Sequence, residues 1–229
     1  MRLILSDYTK QQFKTSLTGI FIFTIRAAIT RWFFHRRPRL KPSSNYLNLG
    51  CGSNYISGVV NADFVNLRFF RKGWRHLEWY VDLRYSLKCV DNVFDGVFSE
   101  HTLEHLYPDE AIHLLKEVYR IMKPGAIFRL TVPDLEKYIK FYNKDYKGYD
   151  VEAFKDRYSS GCEAVRNLTQ NYFHFSAWDF SEIERVLSSI GFLQIKQMSF
   201  GVTQDANLNF DLQERAWETL YVEARKPFV

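Results

Sequence analysis

The stretch Tyr46-Leu47-Asn48-Leu49-Gly50-Cys51-Gly52-Ser53 decides the fold of this chain. A short apolar run ends here in two glycines separated by one residue, and the next apolar run, residues 59–62, ends in Asp63. This order of strand, glycine turn, strand and acid is typical of α/β domains that bind a nucleotide at the carboxyl ends of their strands. Only eight residues separate Gly50 from Val59, and the third glycine of G-x-G-x-x-G is absent. The helix after the turn is therefore predicted to shrink to about one turn, unlike in a full dinucleotide-binding fold.

Further apolar runs alternate with helical patterns along the rest of the chain. The predicted strands are 79–83, which contains a second acid, Asp82, then 94–99, 126–132, 192–198 and 219–224. One helix begins at Pro108, and another covers 181–190, capped by Asp179 or Ser181 and ended by Gly191. Ser99 is expected to cap a helix directly after the fourth strand, with Glu100 at its positive end. The alternation predicts an α/β fold with a doubly wound, seven-stranded, mostly parallel sheet.

Composition and charge bound the class of protein. A chain of 229 residues, 46% of them hydrophobic, is long enough for one well-buried α/β domain and an appendage. Its three cysteines lie far apart and form no CxxC pair, which indicates a reduced, cytoplasmic protein. Residues 1–42 contain nine Lys/Arg and one acid, a net charge of +8, whereas the remainder carries −3. The body is therefore mildly acidic, and nucleic acid is not its expected partner.

Residues 1–42 are predicted to form a basic amphipathic helix and a linker ahead of the main domain, residues 43–229. The helix is expected to run from Ser6 or Asp7 to about Phe34, because apolar residues recur there at helical spacing. These are Phe13, Leu17, Phe21, Ile25, Ala28 and Trp32. Arg26 and Arg31 interrupt the apolar run before it reaches the ~20 residues that span a bilayer. Two alternatives stay open: a helix that packs on the body and covers the cofactor, or an interfacial helix within 10–41 that contacts anionic lipid at the inner membrane face.

An ordered set of motifs resembles the class I S-adenosylmethionine-dependent methyltransferases. The matching pieces follow the order of that family from about residue 44 to residue 227. They are Asn48-Leu49-Gly50-Cys51-Gly52, Asp63, Val81-Asp82-Leu83, the run from Phe94 to Leu106, Arg120-Ile121-Met122-Lys123-Pro124-Gly125 and Val132-Pro133-Asp134-Leu135. They look most like the small, type-11-like methyltransferases that are often linked to polysaccharide biosynthesis. The resemblance implies a Rossmann-like fold and S-adenosyl-L-methionine as the cofactor.

The resemblance also implies roles for residues along the nucleotide-binding edge. Asp63 would accept hydrogen bonds from both ribose hydroxyls, and Asp82 with the Leu83 backbone would lie at the adenine. Gly50 and Gly52 would let the backbone approach the amino-acid part of the cofactor without a side-chain clash. The predicted cofactor-binding residues are Asn48, Gly50, Cys51, Gly52, Asp63, Asp82, Leu83, Ser99 and Glu100.

The segment His101-Thr102-Leu103-Glu104-His105 matches the H-x-x-E-H pattern of a zinc protease. We disfavour that interpretation, because the segment directly follows a buried strand and no third ligand follows at motif spacing. Some class I methyltransferases bind a divalent ion through an acid-x-x-Glu-His segment. Here His101 stands in place of the leading acid, and His174 could add a ligand only if the fold brings it near, so no metal is assigned. His101, His105 and His174 are instead the candidate catalytic bases, since imidazole titrates near neutral pH.

An insertion of about 45 residues, 134–178, is the predicted lid and acceptor pocket. Its aromatic residues are Tyr138, Phe141, Tyr142, Tyr146, Tyr149, Phe154, Tyr158, Tyr172, Phe173, Phe175 and Trp178. Half or more of them are expected to pack the lid's own core, and the rest suit sugar rings or an aromatic acceptor. Its lysines, Lys137, Lys140, Lys144, Lys147 and Lys155, either favour an acidic acceptor or form a solvated face.

The leading functional prediction is O-methylation of a glycan or lipid-linked sugar by a cytoplasmic enzyme that contacts the inner membrane face. An RNA or small-aromatic methyltransferase is the enzyme alternative, and a non-catalytic S-adenosylmethionine-binding scaffold is the alternative of another class. The sequence leaves the oligomeric state and the exact acceptor open.

Overall fold

The computed structural model describes residues 17–34, 37–40, 45–64 and 77–228. The strands are β1 Tyr46–Leu49, β2 Val60–Asp63, β3 Trp79–Tyr80, β4 Phe94–Glu100, β5 Met122–Pro133, β6 Leu193–Met198 and β7 Thr219–Arg225. They form one seven-stranded sheet in the order β3-β2-β1-β4-β5-β7-β6. The strands from β3 to β5 pair in parallel, and β7 pairs antiparallel with both β5 and β6. The predicted doubly wound, mostly parallel α/β sheet is thereby confirmed.

Six α-helices accompany the described strands. They are α1 Leu17–Ile29, α2 Pro108–Ile121, α3 Leu135–Tyr142, α4 Val151–Arg157, α5 Gly161–Gln170 and α6 Phe180–Ile190. A π-helical turn, Thr30–Phe34, continues α1. Asp179 caps α6 by accepting a hydrogen bond from the Glu182 N–H, and Gly191 ends it at a φ of 111°, as the sequence predicted.

The core lies between the sheet and the helices α2 and α6. Both helices bury one apolar face in this core, and α6 contacts β6 and β7. The buried residues of these faces include Leu114, Leu115 and Val118 on α2 and Ile183, Val186 and Leu187 on α6. The central strands are therefore covered, and their carboxyl ends remain as the edge at which a ligand can enter.

Two local predictions were wrong around the third and fourth strands. β3 consists of Trp79–Tyr80 alone, so Asp82 lies in the turn that follows it. β4 continues through Ser99 and Glu100, which pair with Leu130 and Thr131 of β5. Ser99 therefore caps no helix; a short 3₁₀ turn, Leu103–His105, precedes α2.

The insertion forms a small core of its own. Tyr138 and Phe141 of α3 pack with Phe154 of α4 and with Ala164 and Leu168 of α5. Aromatic rings also meet edge-on there; the Tyr138 and Phe154 centroids are 4.9 Å apart. Several of the lid's aromatic residues are therefore structural, as expected.

The helix α1 has one packed face and one exposed face. Ala27 and Thr30 are buried, and the Phe34 ring lies 5.5 Å from the Tyr80 ring. Three residues of the apolar row predicted from the sequence are exposed instead: Phe21 at 64%, Ile25 at 42% and Trp32 at 76%. The predicted start of this helix, with Phe13, lies outside the described residues. Within the described part of the chain, no helix has the length and apolarity needed to cross a membrane.

Candidate active site

A cavity of about 710 Å³ opens at the carboxyl ends of β1, β2 and β4. We call it the first cavity. Eight of the nine residues predicted to bind the cofactor line it: Asn48, Gly50, Cys51, Gly52, Asp63, Asp82, Leu83 and Glu100. Ser99 is the exception, because its side chain is fully buried in β4 and its hydroxyl meets no hydrogen-bond partner among the described residues.

The glycine turn after β1 is held from two sides. The N–H groups of Gly50 and Cys51 both donate to the Ala62 carbonyl, at 2.8 and 3.1 Å. The Asn48 amide donates to the Asn54 carbonyl at 2.8 Å and to the Asn61 side chain at 3.0 Å. Both hydrogen bonds of the Asn48 amide are therefore made within the loop, and they fix the position of this side chain in the cavity wall.

The two glycines serve different purposes. Both have positive φ, 70° at Gly50 and 51° at Gly52, a region that glycine enters without strain. A Cβ on Gly50 would lie 2.3 Å from Thr102 Oγ1, so this glycine makes room for a neighbouring side chain. A Cβ on Gly52 would meet nothing within 4 Å. Gly50 is therefore required by internal packing, and Gly52 borders open space.

Asp63 ends β2 and ties the turn to it. Its carboxylate accepts hydrogen bonds from the N–H groups of Gly52 and Phe64, both at 2.6 Å. Burial raises the pKa of Asp63, and these two hydrogen bonds oppose the rise. Each carboxylate oxygen keeps lone pairs for a further donor, so Asp63 can accept from a diol in the first cavity.

Asp82 is buried and forms an ion pair with Arg84. The guanidinium donates to both carboxylate oxygens, at 3.0 and 2.9 Å. Such a bidentate pair fixes the orientation of the acid. The hydrogen bond from Arg84 to Asp82 also raises the pKa of the guanidinium.

Glu100 and Cys51 complete the predicted part of the cavity wall. Glu100 accepts from the Leu212 N–H at 3.0 Å, and burial raises its pKa. Burial also raises the pKa of the Cys51 thiol, so this cysteine stays a neutral wall residue.

Sequence reasoning did not assign Arg26, Phe64, Arg84, Leu212 and Arg215 to the site, although all five line the first cavity. Arg26, Leu212 and Arg215 come from segments far from the motifs. Tyr172, Phe173 and Phe175, which were predicted for the lid and acceptor pocket, line this cavity as well. Arg26 reaches the first cavity from α1 and stacks over the Phe64 ring at 4.5 Å. One of the two alternatives for this helix was that it covers the cofactor, but the sequence named no residue for that contact. In the structure, Arg26 of α1 lines the first cavity.

A second cavity, of about 870 Å³, lies beside the first one and under the lid. The residues that line both cavities are His101, His105, Tyr172, Phe173 and Arg215. Three of them, His101, Tyr172 and Phe173, are non-glycine residues with φ between 46° and 62°. Backbone strain of this kind concentrates at functional sites.

The polar character of the second cavity does not come from the predicted lysines. Arg157, Glu163, Arg215 and Glu218 line it, and none of the five lysines does. Lys137 donates to the Thr219 carbonyl at 2.8 Å, while Lys140 and Lys155 pair with neighbouring glutamates on their own helices. These three lysines are therefore occupied elsewhere.

The three predicted catalytic histidines meet around Glu104, which is 1% exposed. His101 Nδ1 lies 3.3 Å from Glu104 Oε1, and His101 Nε2 lies 2.8 Å from Thr219 Oγ1. Burial alone would raise the pKa of Glu104. The charge of His101, which contacts Oε1, outweighs burial and holds that pKa at about 2.

His105 and His174 stand edge to face, with ring centroids 5.1 Å apart. His105 Nδ1 lies 3.2 Å from the Phe173 carbonyl, and His174 Nδ1 lies 2.7 Å from the Leu168 carbonyl. A carbonyl can only accept, so both Nδ1 atoms carry a proton, and in the neutral ring Nε2 keeps a lone pair. Burial lowers the pKa of His174, which favours the neutral ring.

Comparison with known proteins identifies the type of domain. Residues 47–130, from β1 into β5, match the family model described as a methyltransferase domain.

Over these residues the chain is similar to a methyltransferase domain.

Two solved structures show the same fold. A SAM-dependent methyltransferase from Archaeoglobus fulgidus is 16% identical, with a TM-score of 0.50 over 92% of this chain and 100% of that one. A SAM-dependent methyltransferase from Methanosarcina mazei is 20% identical, with a TM-score of 0.50 over 83% of this chain and 95% of that one. A search of curated protein sequences gave no significant match.

These findings confirm the enzyme class, a methyltransferase, and its cofactor, S-adenosylmethionine. The first cavity suits this cofactor. Its volume of about 710 Å³ is that of a ligand pocket. The open space beside Gly52 and the acceptor oxygens of Asp63 lie at the strand edge where this fold binds its ligands.

Proposed function

We propose that this protein transfers a methyl group from S-adenosylmethionine to a hydroxyl oxygen of a glycan or lipid-linked sugar. The observation that carries the proposal is the contact between two cavities. The first cavity suits the methyl donor, and the second cavity adjoins it across His101, His105 and Phe173. An acceptor in the second cavity would therefore face the donor across a boundary lined by histidines.

The lining of the second cavity supports a sugar as the acceptor. Tyr138, Tyr158 and Trp217 offer ring surfaces, and Glu163 and Glu218 offer carboxylates for hydroxyl groups. Sugars present both apolar faces and hydroxyls, so this mixture of aromatic and polar groups matches them.

Two arginines in the same cavity support an acceptor with a phosphate link, such as a lipid-linked sugar. Arg157 lies over the Trp217 ring at 4.3 Å, and Arg215 lines both cavities. Guanidinium groups bind phosphate oxygens through paired N–H donors. Glycan phosphates would therefore have cationic partners next to the transfer point.

The proposed methyl transfer requires the protein to align the two reactants and to remove a proton from the acceptor hydroxyl. When bound, S-adenosylmethionine supplies a methyl group on a sulfonium, which an acceptor oxygen attacks in line. The protein holds the two reactants together and excludes water, effects that supply much of the rate. Activation of the hydroxyl falls to the histidines at the boundary, of which His105 keeps a lone pair on Nε2.

The exposed face of α1 supports a reaction at the inner membrane surface. Trp32 and Phe33, in the π-helical turn that continues α1, are exposed to 76% and 68%, while Arg26 of α1 lines the first cavity. Nine lysines and arginines lie within residues 1–42. Exposed aromatic residues and cationic side chains together are typical of interfacial helices on anionic lipid.

A labelled-methyl assay tests the proposed acceptor. The full-length protein is incubated with methyl-labelled S-adenosylmethionine and, separately, with lipid-linked sugars, free sugars or RNA. We expect label in the sugar fractions, a loss of at least about 100-fold in rate for His105→Ala, and an unchanged rate for the control His113→Ala on α2. Label in RNA alone, or none in either sugar fraction, would contradict the proposal.

A further inference from the structure

The cluster of Glu104, His105 and His174 offers a set of ligands that methyl transfer by itself does not explain. One ligand atom from each of the three side chains lies within 4.8 Å of the other two. We propose that this cluster binds a divalent first-row transition-metal ion, which holds and activates the acceptor hydroxyl. The inference rests on the proposed function for the role of the ion, but not for its binding.

The distances allow an ion to enter with small movements. Zinc binds histidine nitrogens and carboxylate oxygens at about 2.0–2.2 Å, which places its tetrahedral ligands roughly 3.4 Å apart. The longest separation in the cluster is at most 4.8 Å, so the side chains must close by no more than about 1.4 Å.

Glu104 lacks the partners that a buried carboxylate needs. Its Oε1 has the His101 contact at 3.3 Å, and its Oε2 has no hydrogen-bond partner within the described residues. A buried carboxylate without full pairing costs several kcal/mol, unless a cation or further donors satisfy it. An ion at this point would supply the missing charge.

The two imidazoles are oriented as metal ligands usually are. Each donates its Nδ1–H to a backbone carbonyl, Phe173 for His105 and Leu168 for His174. Such outer hydrogen bonds fix the ring and leave Nε2 free to bind a metal. The Thr219 hydroxyl donates to the Arg215 carbonyl at 2.7 Å, so its oxygen accepts the hydrogen bond from His101 Nε2. This bond orients the His101 ring with Nδ1 toward Glu104.

Backbone contacts explain how His174, far along the chain, reaches this point. The N–H groups of Phe175 and Ser176 both donate to the Glu104 carbonyl, at 2.7 and 3.2 Å. The Ser176 hydroxyl donates to the Leu103 carbonyl at 3.1 Å. The end of the lid is thus fixed to the 3₁₀ turn that carries the other two ligands.

The donor set indicates the class of ion and its task. Two imidazoles and one carboxylate favour zinc, manganese, iron or cobalt over magnesium and calcium. Three protein ligands leave a position open, as in catalytic sites. With the ion bound, His105 Nε2 would be a ligand rather than a base, and an acceptor hydroxyl at the open position would lose its proton to water more readily. The oxygen then forms the new C–O bond, and the electron pair of the broken C–S bond returns to sulfur.

Cobalt binding to the full-length chain tests the site without cofactor or acceptor. The protein is stripped with a chelator and titrated with Co²⁺ alone, whose visible absorption bands report binding and coordination. We expect one Co²⁺ per chain, displaced by Zn²⁺. The variants His105→Ala, His174→Ala and the isosteric Glu104→Gln should each weaken binding by at least about 10-fold. His113→Ala, a histidine on α2 outside the cluster, is the matched control and should bind as the unaltered chain does.

Two outcomes would overturn the site. One is the absence of saturable cobalt bands in the unaltered protein. The other is unchanged affinity in His105→Ala and His174→Ala variants that retain their circular dichroism spectrum. Failure of the proposed acceptor would look different, because methyl transfer to sugars would be absent while one Co²⁺ still bound.

Discussion

Asp63 joins three features of the site in one side chain. It ends β2, holds the Gly52 N–H at 2.6 Å and faces the first cavity with its remaining lone pairs. Its predicted role toward the ribose needs the ionised form, because only a carboxylate accepts from both hydroxyls. Burial raises the pKa of Asp63, so the ionised form is lost at a higher pH than for a free aspartate.

We therefore expect S-adenosylmethionine to bind less tightly as the pH falls toward the raised pKa of Asp63. Asp63→Asn should weaken binding about 10- to 100-fold, because a hydrogen bond to a charged group contributes about 1.5–3 kcal/mol. It should also remove the acid limb of the pH profile. Calorimetric titration between pH 4.5 and 7.5 checks this, with the exposed Asp109→Asn as the control. Equal affinity in both variants would remove Asp63 from the ribose.

At the scale of an element, α1 and the π-helical turn after it have a packed face and an exposed face. We expect substitutions in the two faces to have different effects. The inner face, with Ala27 and Arg26, belongs to the body, whereas Phe21, Ile25, Trp32 and Phe33 lie exposed. Burying a large apolar side chain gains about 1.5–3 kcal/mol. Acidic residues in the outer face should therefore release the protein from lipid without disturbing the inner face.

We expect Trp32→Asp and Phe33→Asp each to lower binding to vesicles containing phosphatidylglycerol by about 10-fold or more. Phe228→Asp is the matched control, since Phe228 is 75% exposed near the other end of the chain. Vesicle flotation at low and high salt measures the effect. The membrane proposal fails if all three variants and the unaltered protein float alike.

Elements with a local signal were predictable from the sequence, and elements set by distant pairing were not. The glycine turn, the cap Asp179 and the stop at Gly191 depend on neighbouring residues, and they were predicted correctly. Ser99 was assigned to a helix cap because the sequence cannot show that β4 extends along β5 to Glu100. The approach of His174 to Glu104 depends on backbone hydrogen bonds across about 70 residues of chain, which no spacing rule contains.

For the whole molecule, one buried ion network connects the sheet to the loop after β6. Arg129 of β5 is fully buried; its guanidinium donates to Asp211 at 2.8 and 2.5 Å and to Glu223 of β7 at 2.9 Å. It also donates to the carbonyls of Ser199 and Val202. Removing one partner of such a network leaves uncompensated charge in the interior.

We expect Arg129→Met to lower the free energy of unfolding by about 3–5 kcal/mol, because Asp211 and Glu223 would stay buried without their cation. Arg185→Met is the matched control: Arg185 pairs with Glu182 on the surface of α6, where such a pair contributes at most about 1 kcal/mol. Urea unfolding followed by circular dichroism measures both. Equal losses of unfolding free energy in the two variants would mean that Asp211 and Glu223 can stay buried without Arg129 at little cost. The loop that follows β6, and with it Leu212 and Arg215 at the first cavity, would then be held by its backbone contacts rather than by Arg129.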